Sequence, residues 1–145
     1  MIRHGVGVLS YSPLTGGWLS GRWRKDSRQL SSSRASRLPE RFDLSTRENK
    51  RKLDAVEQLA QLADDTGITF IQLAIAFVLT HPAITASIIG PHTMDQLGSQ
   101  LAAADVTLDA ANLDRIDEIV ATGTTINPVD NSFENPALTP PARRR

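Results

Sequence analysis

Cysteine is absent from the 145 residues. That excludes a disulfide framework, thiolate metal sites and thiol catalysis. No apolar run approaches the roughly 20 residues that span a bilayer. The opening Met1-Ile2-Arg3-His4-Gly5 has no apolar stretch behind it, so it does not read as a secretory signal. Net charge is absent too: 16 Lys/Arg balance 16 Asp/Glu. Histidine is scarce. His4, His81 and His92 never stand four apart, so no helical metal pair is written into the chain. There is no G-x-S-x-G nucleophile turn and no Walker loop, and Tyr11 is the sole tyrosine. A cytoplasmic protein with no membrane and no nucleic-acid partner is the expectation. What remains is ordinary globular composition, 40 % apolar and 22 % charged, at the length of one domain.

The zero charge hides an asymmetry. Residues 1–52 hold 12 Lys/Arg against four Asp/Glu, and residues 53–142 hold Arg115 alone against 12 acids. A basic front suits either a phosphate-bearing partner or self-complementation with the acidic back. Composition leaves both open.

Val6 to Ser12 reads as a strand that ends at Pro13, which cannot donate to a ladder. Gly16, Gly17 and Gly21 follow in a loop able to bring backbone close to a ligand. Residues 22–41 are basic and serine-rich and read as a mobile loop. Ser45 with Glu48 reads as a capping box. It opens a helix whose apolar face is Leu53, Val56, Leu59, Ala60 and Ala63, closed by Gly67. Thr69 with Gln72 is a second box, before an apolar helix that stops ahead of Pro82 and should be well buried. Residues 84–89 read as a second strand. A third box, Thr93 with Gln96, opens a helix to about Ala104. Asp109 caps a last helix with Leu113, Ile116, Ile119 and Val120 inward. From Gly123 onward Pro and Asn accumulate, and residues 124–145 read as an extended or disordered tail beyond a unit of 1–123.

Strand, helices, strand implies a parallel pair with a right-handed crossover. Two parallel strands cannot bury themselves, so the pattern asks for more sheet than is legible. Each strand runs into a Gly/Ser/Thr loop. Gly90-Pro91-His92-Thr93, leading straight into a capped helix, is a candidate anion site through its free N–H groups and the helix dipole. Ser12 with Gly16 to Gly21 is another. The acidic pairs Asp64-Asp65 and Asp117-Glu118 read as solvated helix faces.

Four segments in order resemble one family, the aldo/keto reductases. Gly7-Val8-Leu9-Ser10-Tyr11-Ser12-Pro13-Leu14, with Gly16-Gly17-Trp18-Leu19-Ser20-Gly21-Arg22, is similar to its seventh barrel strand and following loop. Ser33-Arg34-Ala35-Ser36 resembles the cofactor-covering loop of the branch that includes potassium-channel beta subunits and bacterial reductases. Gln72-Leu73-Ala74-Ile75-Ala76-Phe77 resembles that branch's buried helix, and Ile88-Ile89-Gly90-Pro91-His92-Thr93-Met94-Asp95-Gln96-Leu97 its eighth strand and adenosine-phosphate loop. Ile2-Arg3-His4-Gly5 is similar to the end of the sixth helix. A small helical interaction domain with a basic loop accounts for the caps but not for these four ordered motifs.

The resemblance implies an α/β fold: the C-terminal part of a (β/α)8 TIM barrel, with about two parallel strands and four helices. It implies NADPH as cofactor and a small aldehyde or ketone as substrate. Tyr11 would stack on nicotinamide. Ser12, Leu14 and the backbone from Gly16 to Gly21 would line the pyrophosphate, and Arg22 and Arg34 would pair with phosphates. Gly90, His92, Gln96 and Gln100 would surround the adenosine and its 2′-phosphate. His92 stands where many members carry Arg or Lys, and Gln100 where Asn is usual. The family's catalytic Asp, Tyr, Lys and His come from earlier strands, and no residue here matches them. The expectation is therefore a cofactor-binding end without catalytic groups, inactive alone, completed by an N-terminal half or self-associating through exposed sheet edges.

Overall fold

The computed structural model describes residues 4–26 and 33–131. Its elements are β1 (Leu9–Tyr11), α1 (Ser33–Arg37), α2 (Arg47–Thr66), α3 (Phe70–Thr80), β2 (Ala86–Ile88), α4 (Met94–Leu101) and α5 (Ala110–Ile119), with short 3-10 turns between them. The strands pair in parallel, Leu9 with Ala86, Ser10 with Ser87 and Tyr11 with Ile88. Both are shorter than expected, and among the described residues no further strand pairs with either of them. Before β1 the pairing is carried by Thr85, whose N–H donates to the Val8 carbonyl at 2.8 Å and whose Oγ1 accepts from the Val8 N–H at 3.0 Å.

The helices follow their caps. Thr69 and Gln72 exchange both hydrogen bonds of the capping box at the head of α3. Gly67, at φ 72°, closes α2 with its N–H on the Ala63 and Asp64 carbonyls. Asp109 caps α5 through the Asn112 N–H. Two caps differ from expectation by one residue. Thr46, not Ser45, caps α2 through the Asn49 N–H, because the Ser45 hydroxyl and N–H are both taken by the Asp43 carboxylate. At α4, Thr93 accepts from the Gln96 N–H, but the Gln96 Oε1 reaches back to the N–H of His92 rather than of Thr93. α4 itself ends at Leu101 and continues as a 3-10 turn over Ala102–Asp105.

Two apolar clusters form. Ala63, Leu73, Ala76, Leu108 and Ile116 knit α2, α3 and α5 together. Trp18, Trp23, Phe42 and Val56 form the second, with Trp18 stacked on Trp23 at 4.6 Å and on Phe42 at 5.6 Å between ring centres. The burial expected for α3 holds from Leu73 to Ala76 but not at Phe77, which is 43 % exposed. The sheet is open: Tyr11, Leu9 and Ile88 are 81 %, 63 % and 53 % exposed.

The basic loop is corrected over the part described. Residues 33–37 are helical, 39–41 make a 3-10 turn, and residues 22–26 are tied to α2. Arg24 Nε and the Lys25 N–H both donate to Glu57, at 3.0 and 2.7 Å, and Lys25 pairs with Asp54. These pairs join the basic front to the acidic back, so part of the charge asymmetry is used internally. The expected tail also differs over residues 124–131. Asn127 is buried, and Pro128–Asp130 forms a 3-10 turn against the 39–41 corner. Residues 132–145 lie outside the described residues.

Candidate functional site

A parallel pair delivers both of its C-terminal loops to the same end of the sheet. Tyr11 pairs with Ile88, so Ser12 and Ile89 leave the ladder together. The loop after β1 is strained. Ser12 and Thr15 hold φ of 56° and 46°, a region uncommon for residues with a Cβ. A tight chain of turns keeps them there: the N–H of Thr15 on the Ser12 carbonyl and the N–H of Gly17 on the Leu14 carbonyl, both at 2.8 Å. Gly16, at φ 72°, is needed for a further reason. A Cβ there would meet Arg34 Cδ and Nη1 at 3.3 Å and the Phe42 ring at 3.6 Å. The glycine lets the Arg34 side chain lie along the loop backbone. Arg34 comes from α1, which places its guanidinium beside the glycine loop.

This loop forms one wall of a cavity of about 1080 Å³. Tyr11, Ser12, Gly16 and Arg34, four of the candidate cofactor residues, line it together. The opposite walls are the inner faces of α2 and α3, at Val56, Leu73 and Phe77, and the stretch from Val120 to Ile126. Arg37, Arg41, Lys52 and Asp130 also line it. Sequence reasoning missed these four. The signal available was the helical spacing of Lys52 on the face that carries Val56, and it was outweighed by the distance of all four from any strand end. Leu14, Gly21 and Arg22 lie in the same loop but outside the cavity lining.

The second loop is a separate place. Gly90, His92 and Gln96 do not line the cavity. The α4 N-terminus spends its Gln96 N–H on Thr93 and its preceding His92 N–H on Gln96 Oε1, both within the cap. Asp95 adds a carboxylate to the first turn, which offsets part of the dipole's pull on an anion. Gln100 is buried one turn further along α4. Of the two candidate anion sites, the first is thus the one with an arginine side chain against its loop, while the second has its cap groups engaged with one another.

Lys52 faces the cavity from α2. Burial lowers its pKa, opposed by a 2.8 Å hydrogen bond and ion pair with Asp130. Its ammonium also sits 4.4 Å from the Trp18 ring centre. Among the described residues no group of His, Asp or Glu could hold a metal ion. His81 ends α3, its Nδ1 accepting from the Ala83 N–H. No single described helix is long and apolar enough to cross a membrane.

The chain's residues 1–121 match the model of the aldo/keto reductase family. It is 35 % identical over 115 residues to the "Uncharacterized oxidoreductase YrpG" of Bacillus subtilis, covering 79 % of this chain and 32 % of that protein. It is 29 % identical over 127 residues to a probable voltage-gated potassium channel subunit beta of Arabidopsis thaliana, covering 81 % and 36 %. A versiconal hemiacetal acetate reductase of Aspergillus parasiticus is 28 % identical over 116 residues, covering 79 % and 32 %. The chain spans about a third of the length of these curated relatives.

Proposed function

The chain belongs to the aldo/keto reductase family, and from that premise we propose that it is the cofactor-holding end of an NADPH-dependent aldehyde or ketone reductase. A cytoplasmic setting is part of the same proposal. The observation that carries it is Arg34 lying against Gly16 in the strained loop after β1, at the mouth of a large, mostly apolar cavity. Backbone freed of Cβ groups, a planar guanidinium and an exposed aromatic ring are what a dinucleotide's pyrophosphate and nicotinamide require. Bound NADPH supplies a hydride. Tyr11 would flank the nicotinamide, Ser12, Leu14 and the Gly16–Gly21 backbone the pyrophosphate, and Arg22 and Arg34 its charges. Gly90, His92 and Gln96 would hold the adenosine end. Gln100 would reach it only after leaving its buried position.

Reduction of a carbonyl also needs a proton at the product oxygen. Tyr11 is the sole tyrosine, and it is committed to the cofactor side in this reading. The proposal therefore has the isolated chain inactive. Turnover of an aldehyde panel above a no-protein control overturns that part. Quenching of Trp18 and Trp23 fluorescence by NADPH tests the binding part. Weak, salt-sensitive quenching that Arg34→Met reduces is expected, and no quenching at any concentration overturns it.

A second reading is favoured by the open sheet. Among the described residues each strand has one unpaired edge, and Leu9, Tyr11 and Ile88 face solvent. In this reading the chain takes up further parallel strands, either from a polypeptide carrying the rest of such a barrel or from its own copies. Mixing the chain with the first two thirds of a relative distinguishes them: a one-to-one complex with reductase turnover supports completion, and self-sized oligomers alone support the other.

A further inference from the structure

Among the described residues the two most buried polar side chains, Asn49 and Asn127, lie together beside Lys52, and the cofactor reading uses none of these three. Asn49, fully buried on the first turn of α2, donates through Nδ2 to the Glu40 carbonyl at 3.1 Å and the Asp43 carbonyl at 2.9 Å. Its Oδ1 accepts from Asn127 Nδ2 at 2.9 Å, and that same amide lies 3.4 Å from the Glu40 carbonyl, 87 positions away in sequence. One turn on, Lys52 Nζ donates to the Arg41 carbonyl at 2.9 Å and to Asp130 Oδ2 at 2.8 Å. Each of these α2 side chains thus holds two segments at once, the 39–43 corner and the 127–130 turn, which touch each other directly through the Asn127 amide and the Glu40 carbonyl.

The corner is continuous with the anion-facing arginine. The Leu38 N–H donates to the Arg34 carbonyl, the Arg41 N–H to Leu38, and the Phe42 and Asp43 N–H groups to Pro39. Phe42 in turn stacks on Trp18, under the Lys52 ammonium. We propose that Asn127–Asp130 is a strap that, through Asn49 and Lys52, holds residues 33–43 against the Gly16 loop and so positions Arg34 for an anionic ligand. The ligand part rests on the cofactor reading above; the strap itself does not. Asn49 and Asn127 are positioning residues, since neither lines the cavity; Lys52 and Asp130 line it and also tie the strap to α2.

Buried amides satisfied by two partners exchange one unpaired group for several when either partner leaves, so the corner should open with the strap. Peptide-resolved hydrogen exchange on the full chain reads this directly. In Asp130→Asn and Asn127→Ala the amides of 33–43 should exchange roughly fivefold faster or more, while those of α3 keep their wild-type rate. Asp130→Glu keeps the carboxylate at a partly exposed position and should restore the wild-type pattern. Unchanged exchange at 33–43 in both loosening variants overturns the proposal, as does a rise at 33–43 matched by α3. NADPH titration of Asp130→Asn is the second arm, expected to bind at least about threefold more weakly than wild type. Wild type that binds no NADPH while Asp130→Asn still frees residues 33–43 refutes the cofactor reading and leaves the strap standing. Binding unaffected by Asp130→Asn refutes the positioning of Arg34.

Discussion

The helical layer and the sheet of this protein are finished to different degrees. α2, α3 and α5 close on Ala63, Leu73, Ala76 and Ile116, and their ends are capped by Thr46, Thr69, Gly67 and Asp109. The two strands carry apolar side chains of the same kind, yet Leu9 and Ile88 are mostly in water. A helix satisfies its backbone within itself, so three of them can reach a closed packing locally. A strand cannot. Its N–H and C=O groups and one of its faces need neighbours from elsewhere. The open side is therefore where the proposed completion or self-association would act, and the closed side is where the apolar packing is concentrated.

That contrast can be broken most sharply at Leu73, 2 % exposed between α2 and α5. Leu73→Ala should cost about 2–5 kcal/mol in denaturant unfolding followed by circular dichroism. Leu9→Ser and Ile88→Thr, exposed positions in the sheet, should stay within about 0.5 kcal/mol. Equal costs at the two places would mean that the sheet is as closed as the helices. A smaller effect is expected at Asn49, which bridges the layers. Asn49→Ala removes three hydrogen bonds, to the Glu40 and Asp43 carbonyls and from the Asn127 amide, at a cost of about 1–3 kcal/mol by the same measurement.

Thr69→Ala removes one half of a capping box and should destabilise by about 1 kcal/mol, lowering the unfolding midpoint without altering the cooperativity. The smallest effect is electrostatic. Burial pushes the Glu57 carboxyl up, but the Lys25 N–H and the Arg24 guanidinium outweigh it and hold the pKa below its ordinary 4.5. A lowered carboxylate contributes stability that is complete above the unfolded value and is lost as pH falls through the folded one. Acid should thus release residues 22–26 from α2 below about pH 4.5, seen as a rise in Trp23 fluorescence or its red shift. Glu57→Gln should flatten that limb. An acid limb unchanged by Glu57→Gln would place the loosening elsewhere.

Legibility followed the same division. Each helix was readable because a cap, an apolar period and a stop are all local: Thr69 with Gln72, Leu73 to Ala76, then Pro82. The misplacement of the α2 cap by one residue arose because Ser45 and Thr46 are both able to cap, and the Asp43 side chain decided between them. Of the candidate site, Tyr11, Ser12, Gly16 and Arg34 do meet at one cavity, whereas Gln96 is spent in its own helix cap and Gln100 is buried. The basic loop was read as mobile because serine and arginine carry no periodicity. Its described part is ordered by Trp18, Phe42, Asn49 and Glu57, none of which lies within residues 22–41.

By itself the sequence determined α2 to α5 and the glycine loop after β1, because each depends on spacing within a few residues, and the parallel pairing of the two strands, because the helices between them impose a crossover. Only the tertiary structure decided how the charge asymmetry is spent. It paired Lys52 with Asp130 and Asn49 with Asn127 across 78 positions. It also brought Arg34 onto Gly16 and left one face of the sheet bare. Such choices depend on which groups are near enough to relieve one another's desolvation, and nearness across the chain is fixed only when the helices pack.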